Sequence, residues 1–495
     1  MTIFITGNVI MMLEIVGTRV VGPYFGVGIY VWSALITVTL LALSTGYWLG
    51  GKWADAQGRP EFLFKTILSA GVFIFLIPVI RNPVLIYSGG FGVRGGVLMG
   101  SMMLFGPPLF LLGIVSPYAT KLFTEQFEKL GSRVGLLYAV STLGSFFGTI
   151  NIGFYMIPNF HISTILFVLG TTLLIMPTAY AVVYKRKQYT FLVLTFIATA
   201  VLLCFFAVTS SQKQTGERKI LYKTNSFYGE IKVTQQQHLR ILLVDGIAQS
   251  GENYLTHKAL PGYIETIRDA VRVYHLDAKN ALVIGLGGGN IVHALLKDNI
   301  LVDVVEIDKK IITVAEQFFS INPARTNITA TDGRLFVRKC KKKYDAVVLN
   351  AYSGETFPAH MLTKEFFAEV KSILNPAGLV ILNFYGYVEG PQRIAGASVY
   401  ATLKYHYDWC RAFFKAPRQT PSNIVFVAGT GQTVPSRPDR SVLRRLASYN
   451  VSIDGWESAL VCSDDYNPIE FMNRAVYIQW RQAVMKHLGP DLLLH

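Results

Sequence analysis

Residues 281–290 read ALVIGLGGGN, and this stretch decides the fold of the second half of the chain. Its first five residues form an apolar run typical of a buried strand, and the glycines after it lead into a helical pattern through Leu296. A strand, a glycine turn and a helix in this order are typical of a doubly wound nucleotide-binding fold, because the missing side chains let a ligand approach the backbone and the helix N-terminus. The glycines expected to bind this ligand are Gly285, Gly287 and Gly289.

An acidic residue follows at the spacing expected for a carboxylate that binds ribose. The next strand is predicted over residues 302–308, and Glu306 lies 21 residues after Gly285. A carboxylate accepts two hydroxyl hydrogen bonds well. Either feature alone is a weak signal, but together they favour a nucleoside ligand over a helix cap or a turn.

Three further strand regions also end in polar residues. The third leads into Asp332, the fourth covers residues 344–350 and ends at Asn350, and the fifth covers residues 379–386. Ligands bind at the carboxyl ends of the strands in an open parallel sheet. We therefore expect Gly285, Glu306, Asp332 and Asn350 to meet in one cleft.

The region before this pattern has a different composition. Residues 211–219 are polar and charged and are interpreted as a linker. Residues 221–233 and 239–249 are rich in β-forming residues and are broken by Gly229 and Asp245-Gly246, which predicts a small antiparallel sheet.

The first half of the chain is apolar. The whole chain is 51% hydrophobic and 16% charged, against roughly 25% charged in a soluble domain. Residues 1–210 hold only 12 of the 46 Lys and Arg and 5 of the 31 Asp and Glu. A bilayer-spanning helix takes about 20 apolar residues. Seven stretches qualify: 2–21, 28–50, 62–86, 95–117, 135–157, 160–183 and 189–209.

Small residues in the fifth stretch, Gly144 and Gly148 among them, predict close helix packing. Basic residues concentrate in the loops after the second, fourth and sixth stretches, which places those loops in the cytoplasm. With seven spans, everything beyond residue 210 then lies outside the cytoplasm. The protein is expected to be a multi-pass integral membrane protein with the lipid bilayer as a partner.

Charge and cysteine content exclude other classes. The net charge of +15 divides into +7 for residues 1–210 and +8 for the rest, so neither half has the concentrated basic face that nucleic acid requires. No nucleic-acid partner is expected. Cys204, Cys340, Cys410 and Cys462 form no CxxC pair, so neither a zinc site nor a disulfide framework is indicated, and no metal is expected.

Residues 221 to about 390 resemble the spermidine synthase family of aminopropyltransferases. The matching pieces are Asp245-Gly246 with Gln249, the glycine turn at 285–289, Glu306-Ile-Asp308, Asp332-Gly333-Arg334, Asn350-Ala-Tyr-Ser and residues 358–367. The whole chain is similar to membrane-fused spermidine-synthase-like proteins, with residues 463–468 (SDDYNP) as a shared late motif.

This resemblance implies an α-helical membrane bundle followed by an α/β class I methyltransferase-like (Rossmann-type) domain with a small N-terminal β-sheet. The predicted domains are a transmembrane region of about seven spans at 1–210, the linker at 211–219, the small β domain at 220–260 and the Rossmann domain at 261–495.

The resemblance also implies roles for single residues. Glu306 would hold the ribose hydroxyls of decarboxylated S-adenosylmethionine, Asp332 would contact the adenine amine, and Gln249 would line the same pocket. His257 falls near a ligand-lining position of the family. Tyr254 and Tyr385 are candidates to stack on the substrate, although core packing is the commoner role of aromatic residues.

The chain departs from the family where the chemistry takes place. The family removes the proton of the attacking amine with a carboxylate at the end of the fourth strand, and this sequence has Asn350 there. A second family acid, in the glycine loop, corresponds to Gly288. An amide accepts a hydrogen bond but cannot take a proton or balance a charge. Glu355, Asp464 and Asp465 are the candidate substitutes, and Asp464 and Asp465 with Asn350 are the predicted catalytic residues.

The predicted function is transfer of an aminopropyl group from decarboxylated S-adenosylmethionine to an amine such as putrescine, with a polyamine or other amine as partner. The alternatives are an S-adenosylmethionine-dependent methyltransferase and a catalytically degraded protein that senses a ligand or assists transport. A homo-oligomer is left open. Adenosyl donors are made in the cytoplasm, which conflicts with the side indicated by seven spans.

Overall fold

The computed structural model of the chain describes residues 1–26, 28–123, 130–183, 218–260, 262–431 and 439–494. The chain divides into two compact units. One consists of residues 1–216, 224–230 and 485–495, and the other of residues 217–223 and 231–484.

The first unit is built from long helices. They are α1 (Thr2–Phe25), α2 (Ile29–Gln57), α3 (Pro60–Gly89), α4 (Gly92–Phe123), α5 (Leu130–Ile150), which continues through a π-helical turn (Asn151–Met156) into α6 (Ile157–Asn159), and α7 (Ile162–Val183). Within the described residues, six helical segments are long and apolar enough to cross a bilayer. The first six predicted stretches coincide with these helices. The seventh, at 189–209, and residues 211–217 of the predicted linker lie outside the described residues.

Glycines let the helices of this unit approach closely. A Cβ atom at Gly144 of α5 would lie 2.1 Å from the carbonyl oxygen of Phe4 in α1, and one at Gly148 would lie 2.6 Å from that of Asn8. These distances are far below van der Waals contact, so only glycine permits this approach. The close packing predicted from the small residues of the fifth stretch is confirmed.

A small sheet begins the described part of the second half. Its strands are β1 (Arg218–Asn225), β2 (Glu230–Gln236), β3 (Leu239–Val244), β4 (Ile247–Asn253) and β5 (Lys258–Ala259), and they neighbour one another in chain order. β3 and β4 are joined at Asp245 (φ +47°) and Gly246 (φ +76°). Two left-handed residues suit a two-residue hairpin turn, as the Asp-Gly pair predicts.

The large sheet has seven strands. They are β6 (Asn280–Ile284), β7 (Leu301–Glu306), β8 (Asn327–Ala330), β9 (Tyr344–Leu349), β10 (Leu374–Gly386), β11 (Trp409–Phe414) and β12 (Ser422–Gly429). Their order across the sheet is β11-β12-β10-β9-β6-β7-β8. β6 to β10 are parallel, whereas β12 runs antiparallel to both β10 and β11. This is the doubly wound order of class I methyltransferases with its antiparallel final strand, and it confirms the predicted fold class.

Helices alternate with the strands of this sheet or follow them, and several of them cover its two faces. They are α8 (Tyr263–Tyr274), α9 (Asn290–Leu296), α10 (Lys309–Phe318), α11 (Gly333–Lys339), α12 (Lys364–Ser372), α13 (Ile394–Lys404), α14 (Arg440–Ser448), α15 (Ile469–Met472) and α16 (Arg474–Leu494). Val283 and Val348 pack in a cluster with α8, while Ile284 and Leu349 pack in a second cluster with α12. Burial on both faces explains why these strands read as continuous apolar runs rather than as alternating patterns.

Candidate active site

The chain order of the parallel strands reverses between β6 and β9, and this switch point positions the site. Ile284 pairs with Leu349, and the N–H of Asn350 donates to the Ile284 carbonyl at 2.9 Å. Gly285 has φ +95°, and a Cβ atom there would lie 2.3 Å from the carbonyl oxygen of Asn350. Position 285 therefore requires glycine, and the crevice at the switch point is where a doubly wound fold binds its ligand.

Other atoms also lie close to the backbone of the rest of the glycine loop. Gly287 and Gly289 have φ values of +52° and +76°, and a Cβ atom at Gly289 would lie 2.2 Å from Cδ1 of Ile321. Gly288 donates its N–H to Oγ of Ser250 at 2.8 Å. A Cβ atom at Gly288 would meet Cβ of Ser250 at 2.9 Å and Cδ1 of Phe319 at 3.0 Å. An acidic side chain at position 288 therefore requires Ser250 or Phe319 to shift.

Glu306 ends β7 beside this loop. Its Oε2 accepts the N–H of Leu286 at 2.8 Å and its Oε1 accepts the N–H of Asp308 at 3.0 Å. Burial raises the pKa of the Glu306 carboxyl above its ordinary value, and these two hydrogen bonds act in the opposite direction. Each carboxylate oxygen has a further lone pair, so Glu306 can also accept the two hydroxyls of a ribose.

Asp332 follows β8 and caps helix α11. Its Oδ1 accepts the N–H of Leu335 at 2.8 Å, and its Oδ2 lies 3.4 Å from Nε2 of His360. About one third of the Asp332 side chain is exposed, so it can accept a hydrogen bond from a ligand amine. The structure thus places Gly285, Glu306, Asp332 and Asn350 just after or at the ends of four neighbouring strands, as the sequence predicts.

A cavity of about 180 Å³ opens beside the carboxyl ends of β9 and β10. It contains three of the predicted site residues, Gln249, Asn350 and Tyr385. The described residues that line it are Ile241, Ala248, Gln249, Ser250, Gly251, Leu260, Tyr263, Asn350, Tyr352, Asn383, Tyr385, Asn423 and Trp480. The amide of Gln249 is held by a 2.8 Å hydrogen bond from its Nε2 to the carbonyl of Gly354.

Three asparagines on neighbouring strands form a chain of amides along this cavity. Asn423 Nδ2 donates to Asn383 Oδ1 at 2.9 Å, and Asn383 Nδ2 donates to Asn350 Oδ1 at 2.8 Å. Tyr263 lines the same cavity as Asn350. Burial raises the pKa of Tyr263 to about 12, so its hydroxyl keeps its proton at neutral pH. We refer to Asn423, Asn383 and Asn350 as the amide chain.

Aromatic rings form another wall of the cavity. The rings of Tyr385 and Trp480 stack with their centroids 4.3 Å apart and their planes 28° apart. Tyr352 meets Trp480 edge-on, and its hydroxyl accepts the N–H of Tyr385 at 2.7 Å and donates to the carbonyl of Asn383 at 3.2 Å. These contacts fix the rings that face the cavity.

The acids proposed as substitutes lie in ion pairs or outside the cavity. Glu355 is buried and accepts two hydrogen bonds from Arg481, at 2.7 and 3.3 Å. Asp464 accepts two from Arg334, at 2.6 and 2.7 Å, and these hydrogen bonds lower the pKa of its carboxyl. Asp465 is exposed. Among the described residues, neither Asp464 nor Asp465 lines the cavity.

The other two predicted substrate-binding residues also lie elsewhere. His257 has φ +51°, about half of its side chain is exposed, and its Nδ1 lies 3.9 Å from a carboxylate oxygen of Glu252. Tyr254 packs under the guanidinium of Arg240, 5.0 Å from the ring centroid. Neither residue lines the cavity as the structure describes it.

Several cavity residues escaped the sequence prediction. Asn383 lies three residues before the end of the fifth predicted strand, so the rule that ligands bind near strand ends would have identified it. Tyr263 and Asn423 lie on separate elements with no polar pattern, and Trp480 lies on helix α16, far beyond the last strand. Only the tertiary structure brings these three together.

None of the described cysteines lines this cavity. Over the described ranges, no group of three His, Cys, Asp or Glu side chains is placed to hold a metal ion, and the expectation of a metal-free site stays a prediction. Cys340, Cys410 and Cys462 are free thiols. Cys204 lies outside the described residues.

Part of this chain is similar to known polyamine aminopropyltransferases. Residues 260–386 match the spermine/spermidine synthase domain. The polyamine aminopropyltransferase of Vibrio vulnificus is 30% identical over 183 residues, which are 34% of this chain and 60% of that relative. The probable polyamine aminopropyl transferase of Bifidobacterium longum is 28% identical over 214 residues, which are 42% of this chain and 46% of the relative. The chain thus spans about half to three fifths of these relatives.

Two solved structures align with part of this chain. A probable spermidine synthase from Corynebacterium glutamicum covers 50% of this chain and 97% of its own, with 17% identity and a TM-score of 0.44. The spermidine synthase of Thermotoga maritima covers 52% of this chain and 88% of its own, with 17% identity and a TM-score of 0.36.

Proposed function

Because the C-terminal part of this chain carries a spermine/spermidine synthase domain and its N-terminal part carries apolar helices long enough to span a bilayer, we propose a membrane-anchored transferase that uses an adenosyl sulfonium donor. The proposed reaction moves an aminopropyl group from decarboxylated S-adenosylmethionine to a nitrogen nucleophile in the cavity beside Asn350. The observation that carries the proposal is the buried Glu306 carboxylate beside a glycine loop that has little room for side chains.

The donor would bind at the carboxyl ends of β6 to β9. Glu306 would accept the ribose hydroxyls and Asp332 the adenine amine, since both carboxylates have lone pairs beyond their backbone hydrogen bonds. The glycine loop would let the nucleoside approach the backbone. Gln249 would line the passage between the donor and the cavity.

The chemistry is a displacement. The nitrogen lone pair attacks the carbon next to the sulfonium, the new C–N bond forms as the C–S bond breaks, and neutral methylthioadenosine leaves. The chain's contribution is alignment, because Asn350 and the other amides hold the acceptor without accepting its proton. The proton of the product nitrogen leaves to solvent.

A specific observation favours methyl transfer as the second candidate. Gly288 and Asn350 leave both family acid positions without a carboxylate. An acid there would repel the carboxylate of S-adenosylmethionine. Since neither acid is present, the donor site does not discriminate by charge against ordinary S-adenosylmethionine, whose methyl group would then be transferred.

Binding of methylthioadenosine tests the donor site. We expect Glu306→Ala and Asp332→Ala each to abolish binding to the purified full-length protein, whereas Asn350→Ala spares it, as measured by isothermal titration calorimetry. A melting temperature in the same detergent confirms that each variant is folded. Equal and negligible effects of all three substitutions would refute the site assignment.

Product analysis tests the reaction. The full-length protein is incubated with either donor and with putrescine, spermidine or benzimidazole, and the products are identified by mass spectrometry. An aminopropylated acceptor with methylthioadenosine supports the main proposal, and a methylated acceptor with S-adenosylhomocysteine supports the second candidate. Absence of both products with all three acceptors contradicts a transferase of this kind.

Asn350→Asp tests the role of the missing acid. The new carboxylate would still accept from Asn383 and would take the proton of an ammonium acceptor, so transfer to putrescine should rise roughly tenfold or more. Asn253→Asp is the matched control, because its side-chain oxygen accepts from Leu255 and Thr256 in a turn outside the cavity. An equal change in both variants would refute a special role for position 350.

A further inference from the structure

We infer that the acceptor held in the cavity beside Asn350 is an uncharged, planar nitrogen ring rather than an aliphatic polyammonium ion. This inference rests on the proposed function and names the class of its acceptor. Three observations carry it: the charge of the lining, the direction of the amide chain, and the stacked aromatic wall.

The lining offers no charge to bind an ammonium group. As far as the described residues show, it contains no Asp, Glu, Lys, Arg or His side chain. A second cavity is also lined by Tyr263 and Asn423. The charged side chain in its described lining is Lys415, which is positive. The acids considered as substitutes are held by arginines, Glu355 by Arg481 and Asp464 by Arg334.

An aliphatic amine is poorly suited to such a cavity. Its pKa is near 10, so roughly one molecule in a thousand carries a free lone pair at pH 7. The cavity has no group to take the proton, since Asn350 is an amide and Tyr263 keeps its own proton. A weakly basic ring nitrogen has its lone pair available at pH 7 and needs neither a base nor a counter-charge.

The amide chain presents a donor to the ligand. Asn350 Oδ1 already accepts from Asn383, and its Nδ2 is the donor that Asn350 can offer to a ligand. The hydroxyl of Tyr263 lines the same cavity and can also donate its proton to a ligand. These donors fit a ring nitrogen or another uncharged acceptor atom, whereas an ammonium group has no lone pair with which to accept from them.

The size of the cavity and its aromatic wall fit one flat ring system. Its volume of about 180 Å³ is comparable with the roughly 150 Å³ of an engineered cavity in another protein that binds benzene. Tyr385 and Trp480 present a stacked wall, and Ile241 and Leu260 supply apolar surface. Flat rings stack favourably on such a wall.

Binding to the full-length protein in detergent at pH 7.5 tests the inference, with benzimidazole and putrescine as probes and calorimetry as the readout. Benzimidazole should bind at least tenfold more tightly than putrescine. Tyr263→Phe keeps the ring and removes only the hydroxyl, so it should weaken benzimidazole binding about tenfold. Tyr387→Phe is the matched control, because its hydroxyl contacts Gln479 outside the cavity, and it should leave binding unchanged.

Each outcome bears on one proposal. Preference for putrescine, binding of neither probe, or equal effects of Tyr263→Phe and Tyr387→Phe would overturn the inference. Methylthioadenosine is titrated separately into each variant. If the wild-type protein does not bind methylthioadenosine, the proposed function is overturned. If it binds methylthioadenosine but prefers putrescine to benzimidazole, only the acceptor class is overturned.

Discussion

Two opposing influences act on the pKa of the Glu306 carboxyl group. Its burial favours the neutral form and raises the pKa above the ordinary value of 4.5, while two backbone N–H groups favour the carboxylate. Those N–H groups belong to Leu286 in the glycine loop and to Asp308 after β7. One side chain therefore orients the loop and, in the proposed donor site, would offer a pair of acceptors to the ribose.

The pH dependence of methylthioadenosine binding tests this role. The ribose needs the ionised carboxylate, whose pKa is raised, so affinity should be full above that pKa and should fall by up to tenfold per pH unit below it. The fall should begin at a pH above 4.5. Calorimetric titrations at decreasing pH measure it, and Glu306→Gln should bind weakly with no such dependence. The same pH curve in the variant would show that another group is responsible.

At the scale of the secondary-structure element, the close packing of α5 against α1 depends on glycine. Gly144 and Gly148 lie one turn apart on α5 and bring its backbone against α1. Gly135, on the same helix, has no neighbouring atom within 4 Å of the place its Cβ would take. The helix thus contains both a glycine required by packing and one that is not.

Alanine substitutions on α5 distinguish these two glycines. Gly144→Ala would place a Cβ 2.1 Å from the Phe4 carbonyl oxygen, so it should push the helices apart and destabilise the protein by about 1–3 kcal/mol. Gly135→Ala should leave stability unchanged or raise it slightly, because alanine favours helix. Melting temperatures in detergent provide the comparison. Equal melting temperatures for the two variants would contradict the packing described here.

At the scale of the whole molecule, one buried ion pair joins three distant parts of the chain. Arg481 on α16 donates two hydrogen bonds to Glu355 after β9 and one, at 2.8 Å, to the carbonyl of Asp245 in the β3–β4 turn. Trp480, the neighbour of Arg481, lies in the cavity wall. The ion pair therefore holds the aromatic wall against the strand ends.

Breaking this ion pair should be costly. Arg481→Met leaves the Glu355 carboxylate buried without its partner, which costs about 3–5 kcal/mol, whereas Arg481→Met with Glu355→Gln removes both charges and should recover much of that loss. Thermal melting of the full-length variants measures the difference. A double variant as unstable as the single one would mean that the pair itself is not the stabilising feature.

Local sequence predicted the fold and the strand-end positions of the proposed nucleoside-binding residues, but it did not predict the ion pairs of Glu355 and Asp464, for a physical reason. Gly285, Glu306, Asp332 and Asn350 lie directly at strand ends, so a pattern within each segment fixes their place. Glu355 and Asp464 are different, because their roles depend on arginines 126 and 130 residues away. Sequence spacing shows that a carboxylate exists, but not that a distant guanidinium has already neutralised it.

The closed surroundings of Gly288 restrict the order in which mutations can accumulate. A change to aspartate would place its Cβ 2.9 Å from Cβ of Ser250 and 3.0 Å from Cδ1 of Phe319, so one of these side chains has to shift to admit it. A smaller residue at position 319 would relieve this contact, as a permissive change with no benefit of its own until the acid is present. The order of the two changes therefore matters, and an engineer who introduces only the acid should obtain a less stable protein.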